Sequence, residues 1–362
     1  MTAAVHQFLP TFAGRDAIGA HCLRAQTLLR EAGLASEIYA LDVHDDVRHA
    51  ARDAREFAAT PETWALYHFS IASPLVDDLC EQDVPLALDY HNVTEPRFFQ
   101  RWEPLAAERM AAGKRQLADL AGAPRFALAD STYNETELVE LGFAHTTVAP
   151  ILIDFRDYEG EPDPALLDTR RARRGAAGGA EWLAVGRVAP NKCLHDVIAA
   201  FAAYKRCYDA DARLTIVGNE HTAMQYTNAL RSLVAELQLA AAVEFAGVVS
   251  DTELRAYYQS ADVFVILSEH EGFAVPVLEA MYFDVPVLAF ATGALPETVG
   301  TGGLVLDTKD PLTVAAAAHE ILSQPALRAD LGAAGRERVK HFDLSETGPR
   351  FVDAVLTGIG ER

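Results

Sequence analysis

The chain has 362 residues, more than the roughly 250–300 at which a single hydrophobic core stops growing, so two domains are expected. Half of its residues are hydrophobic, which excludes a disordered or low-complexity chain. The formal net charge of −21 repels phosphate backbones and anionic leaflets, which argues against a nucleic-acid partner and allows at most transient membrane association.

Cys22, Cys80, Cys193 and Cys207 form no Cys-x-x-Cys pair, as expected of reduced thiols in the cytoplasm. No apolar run approaches the ~20 residues that span a bilayer, and His6 and Gln7 make the start of the chain too polar for a signal peptide. Short β-branched and aromatic runs then alternate with amphipathic stretches, the pattern of parallel α/β sheets. Strands are predicted near Val5–Leu9, Glu37–Leu41, Trp64–Phe69, Leu86–Tyr90, Arg125–Leu128 and Thr147–Ala149. Helices fall between them at Ile18–Ala32, Leu105–Leu120 and Asn134–Leu141. Residues 169–180 lose apolar periodicity and carry Arg170, Arg171, Arg173 and Arg174, which reads as a linker. A second series follows, with strands at Trp182–Val185, Leu214–Val217, Val243–Phe245, Val263–Leu267, Val287–Phe290 and Leu304–Leu306. The chain closes on helices at Leu312–Leu322, Ala326–His341 and Ser345–Ile359. The predicted organisation is therefore a doubly wound domain over 1–168, a linker, and a second over 181–343. A last helix, about 344–362, returns to the first domain. Ligands of such sheets sit beyond the carboxyl ends of the strands, so the chemistry is expected in a cleft faced by both domains.

Two segments carry the chemical signal. Ser268-Glu269-His270-Glu271-Gly272-Phe273-Ala274-Val275-Pro276 follows a buried strand, and Pro276 suits the first turn of a helix that runs on through Glu279. The amides of 272–275 would then lie at a helix N-terminus, a place for anionic or hydroxyl-rich ligands. Glu271 and Glu279 could each grip a set of vicinal hydroxyls; the competing reading makes Glu271 a cap and Glu279 a surface residue. The second segment, Gly186-Arg187-Val188-Ala189-Pro190-Asn191-Lys192, places two cations at the end of a strand, where they would neutralise a diphosphate or merely be solvated. Histidines such as His21, His68, His195 and His270 show no metal-ligand spacing. Asp130-Ser131 reads as a helix cap rather than a nucleophile.

These segments, with Leu214–Asn219 and Phe245-Ala246-Gly247, resemble the donor domain of the group 1 retaining glycosyltransferases, which have the two-Rossmann GT-B fold. The first half resembles a bacterial branch of that group at Gly14-Arg15-Asp16-Ala17-Ile18-Gly19, His68-Phe69-Ser70, Tyr90-His91-Asn92-Val93-Thr94 and Ala129-Asp130-Ser131. The resemblance implies that Arg187 and Lys192 hold the donor diphosphate, Glu279 the ribose, and Glu271 with Gly272, Phe273, Ala274 and Val275 the transferred sugar. Val248 would lie beside the base, Gly19 near the diphosphate, and Asp16, His91 and Asn92 on the acceptor side, with His91 near the anomeric carbon. No cofactor or metal is implied beyond a nucleoside-diphosphate sugar, GDP- or UDP-linked. The acceptor would be a saccharide, free or lipid-linked; the oligomeric state is not implied. Cys193 stands where the family often has glycine, Asp284 likewise, and Glu95 replaces a usual proline. Two other readings keep the fold: a nucleotide-sugar epimerase, and a non-catalytic nucleotide-sugar or glycan-binding subunit.

Overall fold

The computed structural model describes residues 3–14, 16–60, 62–82 and 84–360, with the side chains of 175–177 excepted. The chain divides into two compact units. One holds residues through Pro96, Leu105–Asp154 and those from Phe342 on; the other holds Arg97–Pro104 and Phe155–His341.

The first unit is built on seven parallel strands: β1 (Ala4–Phe12), β2 (Ile38–Val43), β3 (Ala51–Asp53), β4 (Thr63–Phe69), β5 (Leu86–Tyr90), β6 (Phe126–Ala129) and β7 (Thr146–Val148). Their order is β3-β2-β1-β4-β5-β6-β7. The second unit has six: β8 (Glu181–Val185), β9 (Arg213–Val217), β10 (Val243–Gly247), β11 (Val263–Ile266), β12 (Val287–Phe290) and β13 (Gly303–Leu306), ordered β10-β9-β8-β11-β12-β13. Helices cover both faces, which is why β5, β6 and β11 are buried at every residue, and β6 and β11 read as apolar runs rather than as alternation. Helix Leu344–Gly358 belongs to the first unit, where Phe351 and Val355 join a core with Val5, Leu29 and Leu128. No helix among the described residues is long and apolar enough to cross a membrane.

The arginine-rich stretch is not a linker. Residues through Ala177 continue a helix that begins at Pro164, capped by Asp163, whose carboxylate accepts from the Leu166 amide at 2.7 Å. Gly178 ends it in the left-handed region, at φ 72°. Apolar periodicity fails there because the side chain that faces the core is an arginine. Arg170 is 3% exposed and donates to Glu181 at 2.9 Å, Ser260 at 2.5 Å and Thr215 at 3.1 Å. The sequence reading also gave residues 97–104 to the first domain. They fold with the second unit, Phe98 against His270 and Trp102 edge-on to Tyr226.

Removing one member of a buried ion pair leaves the other uncompensated at a cost of about 3–5 kcal/mol, whereas replacing both with apolar groups is close to neutral. Arg170→Ala is therefore expected to lower stability in urea unfolding by about that amount. The pair Arg170→Met/Glu181→Leu should recover most of the loss.

Candidate active site

In the second sheet the strand order reverses between neighbouring β8 and β11, which opens a crevice beyond their carboxyl ends. Both chemical segments emerge there. β8 runs into Gly186 at φ 144°, and Gly218 crosses so close that a Cβ on it would stand 2.0 Å from the Gly186 carbonyl oxygen. A single 3₁₀ turn, Pro190–Lys192, then brings the chain back over the strand end. Asn191 ties this turn to the other loop: its carbonyl accepts from the Glu269 amide at 2.9 Å and its side chain donates to the His270 carbonyl at 3.2 Å.

The result is a close ion pair. Lys192 Nζ lies 2.7 Å from each oxygen of Glu271, and Ser268 Oγ donates to the same carboxylate at 2.6 Å. The Lys192 side chain is 20% exposed and that of Glu271 is 7% exposed, so the pair is largely desolvated. Arg187 is exposed, has no partner among the described residues, and lines one cavity with Gly186, Lys192 and Ser268. The loop is held from outside as well. Gly293, at φ 52°, places its backbone where a Cβ would meet the Glu271 carbonyl oxygen at 2.4 Å. Thr298 Oγ1 donates to the Phe273 carbonyl at 2.6 Å, and Ala274 turns at φ 78° into helix Val275–Tyr282, with Pro276 in its first turn.

Glu279, on that helix, is 9% exposed and is not a surface residue. Its Oε1 accepts from Tyr158 at 2.7 Å and its Oε2 from Tyr258 at 2.6 Å. Burial raises its pKa, and the two phenolic bonds oppose the rise. Neither tyrosine was singled out in the sequence; a hydroxyl aimed at a buried carboxylate from 121 residues away leaves no local pattern. Val248 follows β10 and is 70% exposed. Gly272 and Val275 are half-buried, beside buried Phe273 and Ala274.

In the first unit Asp16 caps helix Ala17–Glu31 by accepting from the Gly19 amide at 2.6 Å. Gly19 is required by its own fold, since a Cβ there would lie 1.8 Å from the Ala13 carbonyl oxygen. Arg15 lies outside the described residues. His91 and Asn92, expected on the acceptor side, have their side chains turned into the first unit. Asn92 takes φ 70° and its amide donates to Asn134 at 2.7 Å, so it holds the turn after β5. The His91 side chain is 1% exposed, with Nδ1 3.0 Å from both oxygens of Asp130 and Nε2 3.0 Å from His68 Nδ1. Ser131 caps helix Thr132–Glu140 as its type suggests, but Asp130 meets a histidine in space that sequence distance hid.

Three further positions are placed by the structure. Burial pushes the Cys193 thiol up to about 11, opposite to activation, and Cys193 takes the left-handed φ of 48° at the position where glycine is common in the resembling family. Asp284, the other such position, is likewise left-handed at φ 58°. An Asp-x-Asp triplet that the sequence reading passed over, Asp209 to Asp211, closes a turn: Asp209 accepts from the Ala180 and Asp211 amides at 2.7 and 3.0 Å.

Residues 169–338 match the family model "Glycosyl transferases group 1". The chain is 29% identical to the D-inositol 3-phosphate glycosyltransferase of Kineococcus radiotolerans, over 77% of this chain and 68% of that enzyme. It is 34% identical to the GDP-mannose-dependent alpha-(1-6)-phosphatidylinositol monomannoside mannosyltransferase of Mycobacterium tuberculosis, over 49% of this chain and 47% of that one. Among solved structures, HepE of Anabaena, in complex with UDP-glucose, superposes with a TM-score of 0.75 at 16% identity, covering 98% of this chain and 99% of that one. A glycosyltransferase from Rickettsia africae gives 0.77 at 14% identity with both chains fully covered. The fold is thus that of two parallel-sheet Rossmann-like domains of the GT-B class. Residues 169–338 are thus similar to the glycosyl transferases of group 1.

Gly293→Ala tests the loop. A Cβ at φ 52° cannot coexist with the Glu271 carbonyl, so the loop must move and carry the ion pair with it. The transfer activity proposed below is expected to fall at least about tenfold, which a barrier increase of about 1.4 kcal/mol produces, while the far-UV circular dichroism stays that of the parent.

Proposed function

We propose that the chain moves a hexose from a nucleoside-diphosphate sugar to a hydroxyl of a glycan or lipid-linked saccharide, with retention of anomeric configuration and without a metal. The observation that carries this reading is the Lys192–Glu271 pair, with free Arg187 beside it, at the β8–β11 switch point. Arg187 and Lys192 bind the diphosphate and stabilise charge on it as the bond to the sugar breaks. Glu271 and the backbone of Gly272, Phe273 and Ala274 receive the sugar hydroxyls at the N-terminus of helix Val275–Tyr282. Glu279 takes the ribose and Val248 the base. Asp16, Gly19, His91 and Asn92 keep the assignments to acceptor, sugar and diphosphate that the family resemblance implies.

Both oxygens of Glu271 are within hydrogen-bond reach of an ammonium, which makes it a poor covalent nucleophile. The acceptor oxygen therefore bonds the anomeric carbon on the face the diphosphate leaves, the carbon–oxygen bond to phosphate breaks, and the acceptor proton passes to a phosphate oxygen. GDP-mannose is the first donor to try, since the mycobacterial relative is by name GDP-mannose-dependent; UDP-glucose, bound in HepE, is the second.

The test is transfer from labelled GDP-mannose, UDP-glucose and related donors to a saccharide panel, with and without EDTA, and product anomers read by NMR. Lys192→Ala should lower the rate at least about tenfold, the effect of losing a charged contact of about 1.5–3 kcal/mol. Near-parental transfer in that variant, an inverted product or loss of activity in EDTA would each overturn the corresponding part. A new epimer of the donor, formed without acceptor, would replace the reading altogether.

A further inference from the structure

Six polar side chains meet inside the first unit, drawn from different elements: Gln7 on β1, His21 on helix Ala17–Glu31, His68 on β4, Asp89 on β5, His91 after it and Asp130 after β6. Facing ligand atoms of His21, His68, Asp89 and His91 lie within 4.8 Å of one another, a spacing a small cation would accept. Two backbone groups decide otherwise, because their hydrogen-bonding sense is fixed.

The Leu152 amide donates to His21 Nδ1 at 3.0 Å. His21 therefore carries its proton on Nε2, donates it to Asp89 Oδ2 at 2.9 Å, and has no lone pair left for a metal. The Cys22 carbonyl accepts from Gln7 Nε2 at 3.0 Å. That orients the Gln7 amide, so its Oε1 faces His68 Nε2 at 2.9 Å and must accept from it. With Nε2 donating to Gln7 and burial pushing the His68 pKa well below the usual value against the pull of Asp89, Oδ2 of which lies 3.4 Å from Nδ1, one ring proton is assigned and Nδ1 is left as the acceptor. The atom 3.0 Å away, His91 Nε2, must then be a donor. On the other side of the ring Nδ1 faces both oxygens of Asp130, whose pKa burial raises while His91 opposes the rise.

We infer that His91 is held as an imidazolium by a one-way hydrogen-bond chain running Cys22–Gln7–His68–His91–Asp130, in which Gln7, His68 and Asp130 are positioning residues. The groups that face it support the charge. Asp130, Asp89 and the helix-capping Asp16 attract it, and against burial they raise the His91 pKa to about 9; His21 and His68 are the neighbouring rings. Asp89 stays ionised, since His91 and His21 outweigh the burial that opposes its charge, and its Oδ1 has no partner among the described residues. The first unit thus carries a buried, fixed cation under the Asp16–Gly19 turn in place of a general base. This holds whether or not the proposed transfer is correct; where it is, His91 supplies positive charge and no proton acceptor.

The experiment is nitrogen NMR of the full chain with labelled histidine, His91 assigned by its loss in His91→Gln. Both ring nitrogens of His91 are expected in the protonated form from pH 6 to 8. Gln7→Leu frees His68 to carry its proton on Nδ1, turning it toward His91 as a donor; the His91 midpoint should fall by more than one pH unit although Gln7 does not touch it. Gln7→Glu keeps the acceptor and should keep the charge. Because buried Gln7 variants could fold poorly, Asp130→Asn provides a second handle, with the same downward direction. A single protonated nitrogen on His91 at pH 7, no change in Gln7→Leu, or stoichiometric metal in the purified protein would each overturn the inference. A stability readout carries the sign: a folded pKa of about 9 against an ordinary 6.5 stabilises fully below pH 6.5 and is lost as pH rises through about 9. The midpoint difference between parent and His91→Gln should shrink over that window.

Discussion

The arrangement in the second unit depends on one electrostatic contact, the ammonium of Lys192 lying between the two oxygens of Glu271. Each group sits at the end of a parallel strand, and only the reversal of strand order between β8 and β11 makes those ends neighbours. Desolvation makes the pair demanding, since each charge alone would be costly to hold in a largely buried loop. The backbone around it is correspondingly over-determined. Gly186, Gly218, Gly293 and Ala274 all take positive φ, and two of these glycines touch carbonyl oxygens too closely for any side chain. The pair and its scaffold thus define a crevice in which Arg187 is left without a partner among the described residues.

Glu279 shows the same logic with neutral donors. A fully buried carboxylate would neutralise itself by taking up a proton unless hydrogen bonds favour its charged form. Tyr158 and Tyr258 supply one bond to each oxygen, and both rings sit in an aromatic cluster with Tyr282 and Phe283 that fixes where their hydroxyls point. An aromatic wall carrying two aimed phenols thus holds this carboxylate in one orientation.

The alternation of strands and helices was legible because a doubly wound sheet buries its strands on both faces, and such runs stand out from any amphipathic helix. The helix start at Pro276 and the placement of Lys192 and Glu271 beside strand ends were legible too, since proline and strand ends carry local signals. What escaped depends on distance along the chain. Arg170 breaks the apolar pattern of its helix because its partner Glu181 sits across a turn on the next strand, so a buried face looked like a solvated one. Residues 97–104 leave their own half of the sequence for the second unit through contacts of Phe98 and Trp102 that no periodicity encodes. The histidine cluster left no spacing signal because its members come from residues 21, 68 and 91 and meet only when β1, β4 and β5 lie side by side.

The two units solve the burial of charge in opposite ways. In the second, the cation is a lysine ammonium, and the fold brings a carboxylate to it. In the first, the cation is a ring that ordinarily loses its proton near neutrality, and the fold makes it permanent by denying it any acceptor role. That denial starts from a backbone group, the Cys22 carbonyl, whose polarity no pH in the working range can reverse. A side-chain chain anchored at a carbonyl has only one self-consistent direction, so a single peptide group in helix Ala17–Glu31 fixes a proton on His91, three side chains away. The same anchoring separates this cluster from a metal centre of equal spacing. Ligand geometry alone admits both, and the sense of the outer hydrogen bonds selects the proton.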